Sequence, residues 1–409
     1  MSSKRSTPKV TVGPADADIA GNDNKALQAA VDYIAGLGGG TVEIGPGTYT
    51  MRDSLHLRNR VAVRGQGPET VLLKADAVES PLTLDGDYGE EQITVAAPAG
   101  FAPGVGVSVT DDNSGGFHTV VCTLIWEDGN TFGASKPMLG DYLVSRNARA
   151  ATTFPVISGY GVAGAGIENL TIQGNKQNNP YLNGCRGAGI FLYRSHGTRI
   201  SGCTIQDYNG DGISFQQSNG VSVENCVCSG NTHLGLHPGS GSGSPAIRNC
   251  RSTGNGRIGL FLCWRVRNGI FENNRLNDNG ETGISIGHKD TDNTFLNNEA
   301  NGNGSEGVLF RDESEPMAGH RNYFERNEIL DNGKGPDGCG VRILGETRDL
   351  TFVNNRIGNS PDGKQRTGIV IGEKSDRIEL RENDLSGNVN REIEDRREGN
   401  KNRTRINYD

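Results

Sequence analysis

Along the second half of the chain a glycine recurs at Gly189, Gly212, Gly235, Gly259, Gly283, Gly307, Gly340 and Gly368, and each is followed by an apolar, a variable and a second inward-reading residue. The successive spacings are 23, 23, 24, 24, 24, 33 and 28 residues. The first of these columns reads Ile190, Ile213, Leu236, Leu260, Ile284, Val308, Val341 and Ile369, and the second reads Leu192, Phe215, Pro238, Leu262, Ile286, Phe310, Ile343 and Ile371. Alternation with period two predicts a short strand, and a repeat of this length cannot bury the inner face of one strand without neighbours stacked on it. The pattern predicts an all-β solenoid, a parallel β-helix.

The polar positions are periodic as well. Cys203, Cys226, Cys250, Asn274 and Asn298 recur about fourteen or fifteen residues after the glycines, and Asn231, Asn255, Asn279 and Asn303 close the coils. Stacked asparagines can hydrogen-bond along a turn and tolerate left-handed backbone, a property that also suits the 60 glycines of the chain to repeated corners. The leucine consensus and helical return of leucine-rich repeats are absent from these repeats.

Ahead of the repeats, Asn24 is expected to cap an amphipathic helix over Lys25 to Ala35, ended by Gly38-Gly39-Gly40. A helix across the first coil would shield the open end of a solenoid. Between Val78 and Ala151 the period is lost, and Gln92-Ile-Thr-Val, Gly106-Val-Ser-Val-Thr and Thr119-Val-Val-Cys-Thr-Leu-Ile read as strands of an inserted subdomain. The expected organisation is a cap with first coils over 1–77, an inserted β subdomain over 78–151, coils over 152–389, and a charged cap or loose tail over 390–409.

Asn24-Lys-Ala-Leu-Gln-Ala-Ala, Gly38-Gly-Gly-Thr-Val-Glu-Ile-Gly-Pro-Gly-Thr-Tyr and Arg64-Gly-Gln-Gly resemble the opening of the pectate-lyase-like superfamily of right-handed β-helix proteins. With the later repeats, the resemblance covers most of the chain. It implies a right-handed helix and a carbohydrate substrate, and leaves lyase, epimerase and hydrolase chemistries open.

Composition narrows the function classes. Only 33% of residues are hydrophobic and 6% aromatic, which fits a thin one-dimensional core. The net charge of −8 argues against a general nucleic-acid binder, and no stretch reaches the length of a membrane helix. The expected partner is an acidic poly- or oligosaccharide. No apolar segment follows Met1-Ser-Ser-Lys-Arg-Ser, so the expected location is cytoplasmic, or secreted or periplasmic after trimming of a signal. The eight cysteines lack zinc spacing and read as free thiols rather than a disulfide framework.

Chemistry is expected in the outward columns. Five residues past the glycine, Trp264, His288 and Asp312 fall in successive coils and predict a contact row. Asp312 would orient His288 as a base, and Trp264 would stack on a sugar ring. Arg311, Lys289 and Arg265 would neutralise a uronate carboxylate as the C5 proton leaves. His237, with Asp211, Gln216 and Gln217 nearby, is a second candidate base, and Tyr193 would hold a flanking sugar. The His237-Pro238-Gly239 segment resembles the Asp-Pro-His region of alginate epimerases, with the histidine displaced by two positions. Of the two histidines, one is expected to be catalytic and the other to touch a flanking sugar.

Asn209-Gly-Asp-Gly-Ile-Ser is similar to the first acidic coil of polygalacturonases, yet His233, Leu234 and Ile258 occupy their remaining catalytic positions. A hydrolase using Asp290, Asp312, Glu306 or Glu313 is the alternative enzyme, and a carbohydrate-binding or assembly module the non-catalytic one. Calcium is the one cofactor these residues suit, with Asp290, Asp292 and Glu313, beside Asp312, as candidate oxygen ligands; ion pairing with Lys289 and Arg311 is the competing use. The oligomeric state is not encoded in these features.

Overall fold

The computed structural model describes residues 7–333, 335 and 337–398, and the backbone of 405–407. The opening Met1–Ser6 and most of the stretch beyond Glu398 lie outside the described residues. Two compact units are formed, Met1–Leu192 with Cys203–Ser214, and Tyr193–Gly202 with Phe215–Asp409.

In the first unit the helix Asn24–Gly36 buries Leu27, Ala30, Val31 and Ile34. Its cap is Asp23, not Asn24: the Asp23 carboxylate accepts from the N–H groups of Lys25 and Ala26, both at 3.0 Å. Asn24 instead accepts from the N–H of Arg52 at 3.1 Å. Parallel strands Lys9–Gly13, Gly40–Ile44, Val61–Lys74, Gly166–Gln173 and Thr204–Gln206 line one wall of the unit's coils. Glu79–Pro81, Gln92–Thr94, Gly106–Thr110, Val120–Asp128, Thr131–Ala134 and Arg149–Ala151 form a separate antiparallel sheet. That sheet closes over its own core, in which Val95, Val109, Leu124 and Phe132 are fully buried.

The second unit consists of coils in register. Leu236 pairs with Leu260, Leu260 with Ile284, Ile284 with Val308, Val308 with Val341 and Val341 with Ile369. On another wall Phe271, Phe295, Phe324 and Phe352 stack, with successive ring centroids 4.8, 4.3 and 4.9 Å apart. Two segments of the charged stretch after Val389 join the sheets of the coils: Arg391–Asp395 pairs with Thr367–Ile371, and Arg405–Asn407 with Glu379–Arg381. It is therefore part of the sheet structure at these segments rather than a loose tail.

Two columns of side-chain amides hold the corners. In one, each Oδ1 accepts both the backbone N–H and the Nδ2 of the residue one coil earlier, from Asn274 through Asn298, Asn327 and Asn355 to Asn383, at 2.9–3.0 Å. Cys250 begins this ladder by donating its N–H to Asn274. The second runs Asn231, Asn255, Asn279, Asn303, Asn332 and Gln365. All eight cysteines are free, so no disulfide contributes.

Asn298→Ala removes the acceptor of two Asn274 N–H groups and the donor to Asn327 and to the Phe271 carbonyl. With each buried orphan group costing about 1–3 kcal/mol, the loss should be about 3 kcal/mol in a urea titration, and a loss under about 1 kcal/mol would refute the ladder's role. Leu260→Asp, which places a charge at a fully buried position, should yield no soluble folded protein.

Candidate active site

Where the strands of the second unit leave the sheet, the chain turns a corner, and there the unusual side chains collect. Arg194, Gln217, Ser240, Trp264, Arg265, His288 and Lys289 all have positive φ, between 47° and 67°. Left-handed backbone costs a residue with a Cβ about 1–2 kcal/mol, which makes tryptophan, histidine and arginine unfavourable choices for these turns. Such conformations persist when the surroundings fix them.

Just beyond these residues a third ladder secures the corner. Ser195 donates its N–H to the Ser218 hydroxyl at 2.9 Å, and Ser218 to that of Ser242 at 3.0 Å. Two coils further on, Asp290 takes the serine's place and accepts the N–H of Val266 at 2.9 Å. Its second oxygen accepts from the N–H of Gly287 at 3.0 Å and from Arg311 at 3.3 Å. Burial pushes the Asp290 carboxyl up to about 7 against the pull of Arg311 and the two backbone donors. Asp290 is therefore a fully buried corner residue and not the outward metal ligand or hydrolytic acid that its spacing suggests.

Arg311 is likewise turned inward. Its guanidinium donates to the Ser285 hydroxyl and the Leu262 carbonyl, both at 2.8 Å, and lies 4.6 Å from the centre of the Phe261 ring. A Cβ on Gly287 would come within 2.7 Å of the Arg311 Nε, so only glycine lets the side chain cross there. Held in this way, Arg311 supports the site rather than receiving a substrate carboxylate.

His288 sits between Arg311 and an acidic partner. Its Nε2 is 2.7 Å from the Glu313 carboxylate, and the Arg311 Nη2 is 3.4 Å from its Nδ1. Burial, with the Arg311 cation second, lowers its pKa from the ordinary histidine value, while Glu313 raises it. The ring is thus neutral near pH 7, with the Nε2 proton directed at Glu313 and the lone pair on Nδ1. Trp264 lies beside it with ring centroids 5.6 Å apart and is 44% exposed, so its face is open to a ligand.

The acidic partner of His288 is therefore Glu313, and Asp312 does not complete the row. Strand pairing runs in register to Ile286 and Phe310, but the next coil turns without the left-handed residues that displace His288. Asp312 instead lines a pocket of about 250 Å³ with Gly345, Glu373, Lys374 and Arg396. Lys289 and Arg265 are exposed at the turn.

The structure also corrects the second histidine. His237 is 3% exposed, 3.3 Å from the Gln216 amide nitrogen and edge-on to Phe261 at 5.3 Å. Gln216 and Asp211 are fully buried as well, so none of the three faces a groove open to solvent. Gln217 accepts from Arg194 at 3.1 Å, and Arg194 lies over the half-buried Tyr193 ring at 5.1 Å. Asp292 is held bidentately by Arg321 at 2.6 and 2.9 Å, and Glu306 accepts from Arg342 at 2.8 Å. Asp290, Asp292 and Glu313 each answer a different partner and do not converge on one cation.

Residues 156–319 match the family model described as the right handed beta helix region. No curated protein matches the chain. Among solved structures, the A-module of mannuronan C-5 epimerase AlgE6 of Azotobacter vinelandii is 16% identical, with a TM-score of 0.63 over 91% of this chain and 85% of that one. The AlgE4 A-module of the same organism is 17% identical, with a TM-score of 0.60 over 97% of this chain and 100% of that one. ORF18 of Geobacillus virus E2 is 11% identical, with a TM-score of 0.56 over 91% of this chain and 61% of that one. These likenesses establish the right-handed parallel β-helix.

The electrostatics of His288 can be read directly by following its ring resonances with pH. The midpoint should lie below 6.5, the ordinary histidine value, and Glu313→Gln should lower it further, since the carboxylate favours the imidazolium. Because the folded value is the depressed one, this group's contribution to stability is present above the unfolded value and is lost as pH falls through the folded one. A midpoint at or above 6.5 would overturn the assignment.

Proposed function

We propose that this protein acts on a uronate-containing polysaccharide by removing the proton at C5, as a β-eliminating lyase or a C5 epimerase. The observation that carries this reading is the Trp264–His288–Glu313 arrangement, an exposed aromatic face beside a neutral imidazole whose other nitrogen meets a carboxylate. A neutral histidine is the form that accepts a proton; its Nδ1 would exchange the 3.4 Å contact with Arg311 for the substrate, and Glu313 stabilises the imidazolium that results. Trp264 offers a sugar ring its apolar face, and the exposed Arg265 and Lys289 supply positive charge for the uronate carboxylate. That charge matters because the carbanion formed at C5 delocalises into the carboxylate. The mannuronan C-5 epimerases among the structural relatives support the choice of substrate class.

A second reading rests on a different observation. Asp312 and Glu373 line one pocket two coils apart, a spacing of about 10 Å at about 4.8 Å per coil. That is just beyond the upper end of the separation used by inverting glycosidases, about 6.5–9.5 Å. Hydrolysis there would release reducing ends without unsaturated products and would survive loss of His288.

On acidic polysaccharides, the proposed reaction should exchange the C5 hydrogen with deuterium from D2O if it is an epimerisation, and should instead generate the ultraviolet absorbance of unsaturated uronates if it is an elimination. His288→Ala should lower kcat by about 10² or more. Trp264→Ala should mainly raise KM, consistent with a stacking contribution on the order of 1 kcal/mol. Reducing-end release with neither C5 exchange nor unsaturated products, undiminished in His288→Ala, would favour the carboxylate pair.

A further inference from the structure

A polar relay in the first unit has no part in the chemistry above. Asp53 is buried, and its Oδ2 accepts the Thr123 hydroxyl at 2.8 Å and faces His56 Nε2 at 3.1 Å. Its other oxygen accepts the N–H of Ser54 at 2.8 Å. On the far side of the ring, His56 Nδ1 is 3.0 Å from the Ser158 hydroxyl. An ionised carboxylate can only accept, so the Nε2 carries the proton, Nδ1 presents its lone pair, and Ser158 is the donor.

The geometry is held from several sides. Leu55–His56 pairs in parallel with Ile157–Tyr160, His56 opposite Ser158, which sets the two side chains next to each other on one face. Gln28 of the helix grips the backbone of His56 twice, at 2.8 and 3.1 Å. The relay opens on a pocket of about 20 Å³, which Lys136 and Tyr160 also line. Lys136 donates to the Val121 carbonyl at 3.0 Å and sits 3.5 Å from the centre of the Tyr160 ring. Burial lowers its pKa to about 8, so the ammonium form still predominates at neutral pH and can donate to a developing oxyanion.

We propose that Ser158 is the nucleophile of a second active site, one that hydrolyses esters with a short, acetate-sized acyl group. An acidic residue orienting a histidine, and that histidine accepting from a hydroxyl, is the arrangement that activates a serine. Ser158 Oγ adds to the acyl carbon while its proton passes to His56 Nδ1. The tetrahedral intermediate places its oxyanion toward Lys136 and collapses by breaking the bond to the alcohol, which leaves with the proton from Nδ1. Water then adds to the acyl-serine as His56 Nδ1 takes one of its protons, and the bond to Ser158 Oγ breaks, releasing the carboxylic acid while that proton returns from Nδ1 to Oγ. The pocket has room for about one water-sized group, so it admits no more than the methyl end of the smallest acyl group and leaves the rest of the ester outside.

The probe is p-nitrophenyl acetate with the full-length protein. Acid quenching followed by peptide mapping should find an acetyl group on Ser158. Turnover should fall by about 10³ or more in Ser158→Ala, and Asp53→Asn should lower it by about 10² or more while circular dichroism stays native. Ser158→Cys, which keeps the side-chain size, should carry the acetyl group as a thioester. Undiminished turnover in a folded Ser158→Ala protein would overturn the proposal. So would the absence of any acetyl group on Ser158 in the wild-type protein, which decides the matter even if Ser158→Ala fails to fold.

Discussion

The corner amide ladders are the constraint on which the rest of this structure depends. A solenoid coil turns its backbone into the core at every corner, where N–H groups lose water and have no strand partner. Asparagine supplies both an acceptor for the N–H of the previous coil and donors for the coil beside it. In the chain from Asn274 to Asn383 each such residue is tied to its neighbours in this way. An orphaned amide would cost about 1–3 kcal/mol, and a core of stacked apolar columns only one coil wide has little excess stability to absorb repeated losses. The ladders also fix register: once the corner amides align, Leu236, Leu260 and Ile284 must align above one another, and so must the residues that follow them.

The candidate site is a local variation on that corner. Where earlier coils use serine, the coil beginning at Gly283 uses Asp290, and the charge brought into the core is matched by Arg311. A buried ion pair contributes little net stability after desolvation, but removal of either member would leave an uncompensated charge. The pair has a consequence for chemistry: a cation fixed beneath His288 disfavours the imidazolium, whereas Glu313 favours it. Their opposition leaves the ring neutral at physiological pH and still able to hold a proton once one is transferred.

Strain and exposure separate supporting residues from those free to meet a ligand. Trp264 and His288 occupy left-handed backbone that few residues of their kind adopt, and Trp264 keeps much of its surface in water. Arg311 and Asp290 lie almost wholly inside and hold the turn. Ser240 shares the column of Trp264 and His288 yet is buried, and His237, three positions nearer its glycine, is covered and packed against Phe261. Equivalent columns in a solenoid therefore need not be equivalent surfaces, since what lies over each coil differs.

The sequence by itself determined the solenoid, the inward columns and the polar ladders, because each follows from periodicity that acts between identical positions one coil apart. It also brought Trp264 and His288 together, since their coils have the same length between glycine and corner. The partner of His288 was not legible: Arg311 crosses Gly287 into the core, and the following turn sets Glu313 rather than Asp312 beside the ring. Nor could spacing show that Asp290 faces inward, since an aspartate accepting a backbone N–H does the work of a serine without sharing its composition signal. Asp53, His56, Thr123 and Ser158 lie outside the repeats and up to 105 positions apart, and no periodic pattern connects them. Only the pairing of Leu55–His56 with Ile157–Tyr160 and the folding of the antiparallel subdomain bring them together, because side-chain contacts across long loops depend on tertiary closure rather than on local spacing.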